Sequence, residues 1–176
     1  MRIRKIVFMA ISFIFFSAGY SYSADIAKIG IIDFQRILET SSAGKLSQSE
    51  IDKKVKKMEA ELKEKGAAIQ ELQKKLERDA LVMSKEMREE KGREVRIKIN
   101  DFKALNKTYS DELRELESRL VMRIKNDVLD IIKNIGKKEG YLLIIEKSSV
   151  LYYPNAIDLT DKLIQTYNKE EADKKK

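Results

Sequence analysis

Ile51-Asp52-Lys53-Lys54-Val55-Lys56-Lys57-Met58-Glu59-Ala60-Glu61-Leu62 opens the stretch whose reading decides the fold. Its apolar side chains continue a series: Ile51, Val55, Met58, Leu62, Ile69, Leu72 and Leu76. The steps are mostly three or four residues, and the one step of seven passes over Lys65. That is a narrow heptad seam, the mark of a helix packed on one partner helix. A second series supplies the partner: Val95, Ile99, Phe102, Leu105, Tyr109, Leu113, Leu116, Leu120, Ile124, Val128, Ile131 and Ile135. No proline interrupts residues 44 to 139. Short β-like patches flank the run: Ile29-Gly30-Ile31-Ile32 before it, Tyr141-Leu142-Leu143-Ile144-Ile145 and Val150-Leu151-Tyr152-Tyr153 after it. The expected fold class is α+β, a long antiparallel helical hairpin thrown out of a small β-sheet body. Function is expected to lie in that reach.

The chain must reverse inside the run. Ser84 follows the apolar cluster Leu81, Val82, Met83, and Glu86 sits in the first turn after it. A serine cap with an acidic first turn is a helix start, which places the turn near 82–84. Ile51 then faces Leu113, Val55 faces Tyr109, Leu62 faces Phe102 and Ile69 faces Val95. Gly92 is the other candidate turn, and with it the partners also roughly match.

The body is expected at 24–41 and 136–168, with the arm at 42–135. Asp33 can cap a short helix starting at Phe34 that buries Ile37 and Leu38. Ser41-Ser42-Ala43-Gly44 is a weak spot where the helix kinks or restarts. Gly136 and Gly140 end the second long helix, Gly140 as a left-handed cap. The patches at 141–146 and 150–153 read as a hairpin around Lys147-Ser148-Ser149. Asp158-Leu159-Thr160-Asp161 reads as the start of a last helix, with Asp158 as cap and Asp161 reaching back. Residues 169–176 are charged and expected to be disordered. So little sheet, apolar on both faces, calls for oligomerisation.

The first 23 residues read as a cleavable secretory signal: Arg2, Arg4 and Lys5, then an apolar run at 6–16, with cleavage after Ser23. Three of the 36 basic residues lie in it, leaving 33 against 29 acidic ones, a net charge of +4. The chain has no cysteine and no histidine. That excludes disulfides, thiol nucleophiles, thiolate metal sites and the commonest general base. The carboxylates are spread along helices, and capping accounts for Asp33 and Asp158. No nucleophile-and-base set assembles, so neither an enzyme nor a cofactor is expected. No phosphate-cradling glycine loop or RNA-binding motif occurs, so no nucleic-acid partner is expected.

Two groups could make contacts along the arm. Met58, Met83, Met87 and Met122 offer adaptable apolar surface, although methionines also fill loose seams. Residues 74–98 carry nine basic and six acidic side chains. Among these, Lys85, Arg88, Arg93, Arg96 and Lys98 could meet an anionic lipid or client; a solvated helix face of mixed charge is the plainer alternative.

The mature chain resembles the periplasmic chaperones of the Skp (OmpH) family. The resemblance is carried by Ile29-Gly30-Ile31-Ile32-Asp33-Phe34-Gln35-Arg36-Ile37-Leu38 with Ala43-Gly44-Lys45, by the two strand patches after the arm, and by Ile157-Asp158-Leu159-Thr160-Asp161-Lys162-Leu163-Ile164. It implies a homotrimer whose strands, with Ile29, Ile31, Leu143, Ile145, Leu151 and Tyr153, complete a barrel-like body. It implies tentacles around a cavity that hold unfolded outer-membrane proteins without ATP. It also implies an association with lipopolysaccharide through basic arm residues. A structural coiled-coil scaffold of the cell envelope is the other reading that the sequence leaves open.

Overall fold

Lys28 and Glu139 lie 111 positions apart, yet the Lys28 ammonium donates to the Glu139 carbonyl at 3.2 Å. The long excursion therefore returns to its point of departure. The computed structural model describes residues 27–174. The expected signal at 1–23 lies outside the described residues, as do the last two lysines. The elements are β1 (Lys28–Ile32), α1 (Phe34–Thr40), α2 (Ser42–Asp79), α3 (Lys85–Glu139), β2 (Tyr141–Glu146) and α4 (Thr160–Asp173). The architecture is mostly helical with a small two-stranded sheet.

Asp33 caps α1 by accepting the Arg36 N–H at 2.9 Å, and Ile37 on the next turn is fully buried. The helix then breaks at Ser41, whose extended backbone turns the chain. The buried Ser41 hydroxyl accepts the Gly44 N–H at 3.0 Å and so starts α2. Asn168 of α4 accepts the Ser42 N–H at 2.8 Å. Gly44 is required by close approach, since a Cβ there would lie 1.8 Å from the Leu38 carbonyl oxygen.

The arm pairs the 38 residues of α2 with the 55 of α3, which at 1.5 Å per residue extends for about 80 Å. The reversal falls at 80–84. The Ser84 hydroxyl accepts the Met87 N–H at 3.2 Å, and Gly92 lies within α3. Lys54 meets Glu112 at 2.9 Å, Tyr109 donates to Glu61, and Phe102 lies against Gly66. The last contact is one turn further along α2 than the expected Leu62. Helix α3 runs through Gly136 to Glu139 and closes on Gly140, the expected cap, in the left-handed region (φ 70°), whose N–H bonds to the Gly136 carbonyl.

The strands correct one expectation. β2 pairs with β1, in parallel: Ile29 with Leu143, Gly30 with Ile144, Ile31 with Ile145, Ile32 with Glu146. An irregularity after Lys28 leaves Leu142 as the extra residue. No hairpin forms, because Lys147–Ser149 winds into a 3-10 turn and 150–153 has no strand partner. The other edge of β1 is taken by a bridge between Ile31 and Asp158, with the Leu159 N–H donating to the Ile31 carbonyl at 2.8 Å.

Helix α4 begins at Thr160, one residue later than an Asp158 cap would place it. Asp158 accepts the Thr160 N–H at 2.8 Å just ahead of the helix, and Asp161 pairs with Arg36 at 2.6 Å instead of reaching back. Thr160 in turn accepts the Asp33 N–H at 2.9 Å. The helix continues to Asp173, so 169–173 is ordered rather than a disordered tail. Tyr167 holds it there: the ring is buried and its hydroxyl donates to Asp127 at 3.0 Å. Burial, and then the Asp127 carboxylate, push its phenol pKa up. One core joins Ile32, Ile37, Ile124, Val128, Ile131, Leu159, Leu163 and Tyr167.

Two outcomes follow from these contacts. Gly44→Ala should cost more than about 2 kcal/mol in urea unfolding, since the obstructing atom is backbone and cannot swing aside. Asp33 is held below its ordinary 3.8 by the Lys147 ammonium at 2.8 Å and by the Arg36 N–H. A lowered carboxylate pKa stabilises above the unfolded value and stops doing so as pH falls through the lowered one. Asparagine still caps but loses the charge facing Lys147 and the helix start, so Asp33→Asn should cost about 0.5–1 kcal/mol at neutral pH. The penalty should shrink in acid, which urea unfolding in neutral and acidic buffers would reveal.

Candidate functional site

Strand alternation sorts the sheet into two faces. Gly30, Ile32 and Ile144 look toward the helices. A Cβ on Gly30 would collide with Leu159, and Ile144 packs on the core beside Gly136. Ile29, Ile31, Leu143 and Ile145 take the opposite face, and none of them belongs to the helix-packed core. Ile31 is buried, Ile145 half-buried, and Ile29 and Leu143 exposed. The open edge of β2 lies beside this face. Leu151 is 108% exposed and Tyr152 85%, whereas Tyr153 is half-buried and its hydroxyl bonds to Asp158 at 3.3 Å. Of the six residues that the sequence assigned to a shared body, one copy of the chain thus leaves Ile29, Leu143 and Leu151 exposed, while Ile31 is buried and Ile145 and Tyr153 are half-buried.

The four methionines separate. Met58 is 4% exposed inside the seam, which removes it as a surface contact; its step in the heptad series places it there. Met83 is half-buried and folds over Leu72, Leu76 and Val95 at the end of the arm. Met87 and Met122 are exposed, one near the tip and the other near the root. The structure therefore does not bring the four together.

At the tip, Lys85, Arg88, Arg93, Arg96 and Lys98 are all exposed and form no ion pair among the described residues. Their neighbours Lys91 and Arg78 are neutralised by Glu94 (2.9 Å) and Asp79 (3.0 Å). Leu81 is 96% exposed and Val82 86% at the very end, so the tip is apolar at its apex and basic along its flanks. The sequence displayed that pair only as part of a turn signal; its exposure follows from the tight reversal, which leaves no third element to cover it.

Midway along the arm, Tyr109 and Glu61 form a polar cross-link that sequence periodicity could not reveal, because Tyr109 occupies an ordinary seam position. The bond to the carboxylate, followed by desolvation, pushes the Tyr109 pKa up to about 12, while the same bond holds Glu61 below its usual range. Next to it lies a cavity of about 320 Å³ lined by Ala68, Ile69, Phe102 and Leu105, with Lys65 and Lys98 at its rim. The base of the arm is tied down by Lys28, which sits 4.1 Å over the Tyr141 ring, and by Lys162, which bonds to Glu139. Among the described residues no cluster of three His, Cys, Asp or Glu side chains could hold a metal ion, and no helix is long and apolar enough to cross a membrane.

A family model described as outer membrane protein (OmpH-like) matches residues 28–167. The Chaperone protein Skp of Photorhabdus luminescens is 26% identical over 150 residues, covering 85% of this chain and 89% of that protein. The Chaperone protein Skp of Pectobacterium atrosepticum is 26% identical over 145 residues, covering 82% and 86%. A crystal structure of an OmpH-like outer membrane chaperone from Caulobacter crescentus superposes with a TM-score of 0.76 at 16% identity, covering 82% of this chain and 86% of that one, a likeness of fold. With both strands, the arm and the first half of the last helix inside the matched span, the chain belongs to the OmpH-like family, the family of the Skp chaperones.

Proposed function

We propose that this protein is a periplasmic holdase that binds unfolded outer-membrane proteins without ATP, in a space enclosed by the helical arms of a homotrimer. The observation that carries the reading is the exposed apolar pair Ile29 and Leu143, with half-buried Ile145 beside them, next to the edge of β2 that pairs with no strand among the described residues. Such a face and edge need a partner. Copies of the same chain would provide one, and the exposed Leu151 and Tyr152 just after β2 would add to the same contact. Sheets gathered around a common axis would bring the roots of the arms together. Clients would then meet surfaces that are mixed in character, which suits chains that are apolar on one strand face and polar on the other. The Skp relatives carry the word chaperone in their names, in keeping with this role.

The tip favours an additional contact. Exposed Leu81 and Val82, with exposed Lys85, Arg88, Arg93, Arg96 and Lys98 farther down the arm, suit an anionic amphiphilic surface, either lipopolysaccharide or an anionic membrane.

Dilution of a urea-unfolded β-barrel membrane protein should give far less turbidity with this chain than without it; equal turbidity overturns the holdase reading. Leu143→Asp should lower the mass in ultracentrifugation from trimer to monomer and abolish the protection, since a charge would enter the shared face. Leu143 is the better position than Ile144, which packs on its own chain's core. A trimer that persists would refute that face as the interface. In vesicle sedimentation, Leu81→Asp with Val82→Asp should weaken binding to anionic vesicles while neutral vesicles bind neither protein.

A further inference from the structure

Between β2 and α4 the chain crosses the body without packing into it. No side chain from 147 to 157 is buried; Val150, Tyr153 and Ile157 are half-buried and the rest are exposed. The stretch pairs with no strand among the described residues. Its shape is nevertheless defined. Lys147–Ser149 forms the 3-10 turn, the Val150 N–H donates to the Lys147 carbonyl at 3.0 Å, and Val150 has extended backbone (φ −125°, ψ 127°). The most exposed apolar side chains of this stretch are Leu151 and Tyr152.

Polar bonds take the place of burial. The Lys147 ammonium donates to Asp33 at 2.8 Å, and the Tyr153 hydroxyl donates to Asp158 at 3.3 Å. The residues that accept these bonds are joined through Thr160, which is fully buried. Its hydroxyl accepts the Asp33 N–H at 2.9 Å, and its own N–H donates to Asp158 at 2.8 Å. Lys147 and Tyr153 stand on either side of the exposed pair and are thus pinned to one buried residue. Neither belongs to the shared core. Ordering a loop costs conformational entropy, and a loop already held in its bound shape spares a complex that cost. We propose that Lys147 and Tyr153 are positioning residues for assembly, which hold 147–153 so that Leu151 and Tyr152 meet a second copy of this chain already in place. A copy is the partner that fits, because the stretch follows directly on β2, whose outer edge is unpaired and whose Leu143 is exposed. This role rests on the homotrimer proposed above and names the bonds that set the strength of its contacts.

Sedimentation equilibrium on the chain from residue 24 reads the concentration at which the trimer is half dissociated. Lys147→Met keeps the apolar stem and Tyr153→Phe removes one hydroxyl; each should raise that concentration about tenfold. Lys147→Arg keeps a charged donor for Asp33 and should stay within about twofold of the unaltered chain. Leu151→Ala with Tyr152→Ala should raise it at least as far as Lys147→Met. With those two side chains gone there is nothing left to present, so adding Lys147→Met should change it by no more than about twofold. An effect of Lys147→Met that persists undiminished in that background marks a general loss of folding and overturns the positioning role. Should Lys147→Met fail to fold, Tyr153→Phe decides in its place, since it leaves every other bond of the network intact. A trimer indifferent to Lys147→Met and Tyr153→Phe, or to Leu151→Ala with Tyr152→Ala, overturns the positioning role alone. An unaltered chain that stays monomeric overturns the homotrimer itself, and the positioning role with it.

Discussion

Parallel pairing of β1 with β2 is the constraint on which everything else depends. An antiparallel pair can be closed by a tight turn, but a parallel pair requires the chain to travel back to the end at which the first strand began. Here that crossover is the entire arm. The reversal at 80–84 makes the helices α2 and α3 antiparallel, and the greater length of α3 carries the chain past the start of α2, down to Lys28. The Lys28–Glu139–Lys162 contacts then fasten the return point. Without the sheet register nothing would fix where the arm begins and ends.

The seam sets the second limit. Two helices share a single apolar stripe, so burial is continuous only where a third element joins them. α1 and α4 cover the root, and the buried positions Ile124, Val128, Ile131 and Ile135 all fall under that cover. Farther out the same heptad pattern gives mostly half-buried side chains, with Met58, Val95, Leu116 and Leu120 buried among them, because one neighbouring helix encloses only part of the stripe. Apolar spacing that looks uniform in the sequence therefore yields a firm root and a lean arm.

This division also explains what could be read from the residues. Local devices were legible: Asp33, Ser84 and Gly140 act through hydrogen bonds a few residues away, so their spacing suffices. The seam was legible because it repeats. Strand pairing was not, since 141–146 and 150–153 around Lys147-Ser148-Ser149 satisfy a hairpin pattern as well as a parallel one. The deciding contacts, Ile31 with Asp158 and Glu139 with Lys28, are distant in sequence. The charged end of α4 was read as disordered for the same reason: Tyr167 and Lys174 both reach Asp127, 40 or more residues back. Among the contact residues, the exposure of Met87 and the burial of Met58 depend on register, which composition does not encode. Lys65 was visible as a gap in the repeat, but the cavity beside it was not.

The Ser41–Gly44 elbow and the Gly140 cap seal both ends of the arm within the body, and among the described residues the shared core takes nothing from the arm between Gly44 and Ile124. Arm length is therefore decoupled from body integrity. Adding or removing matched heptads in α2 and α3 would lengthen or shorten the reach while leaving sheet and core untouched. The fold behaves as a fixed socket with an interchangeable boom, in which capacity can be tuned by sequence length alone.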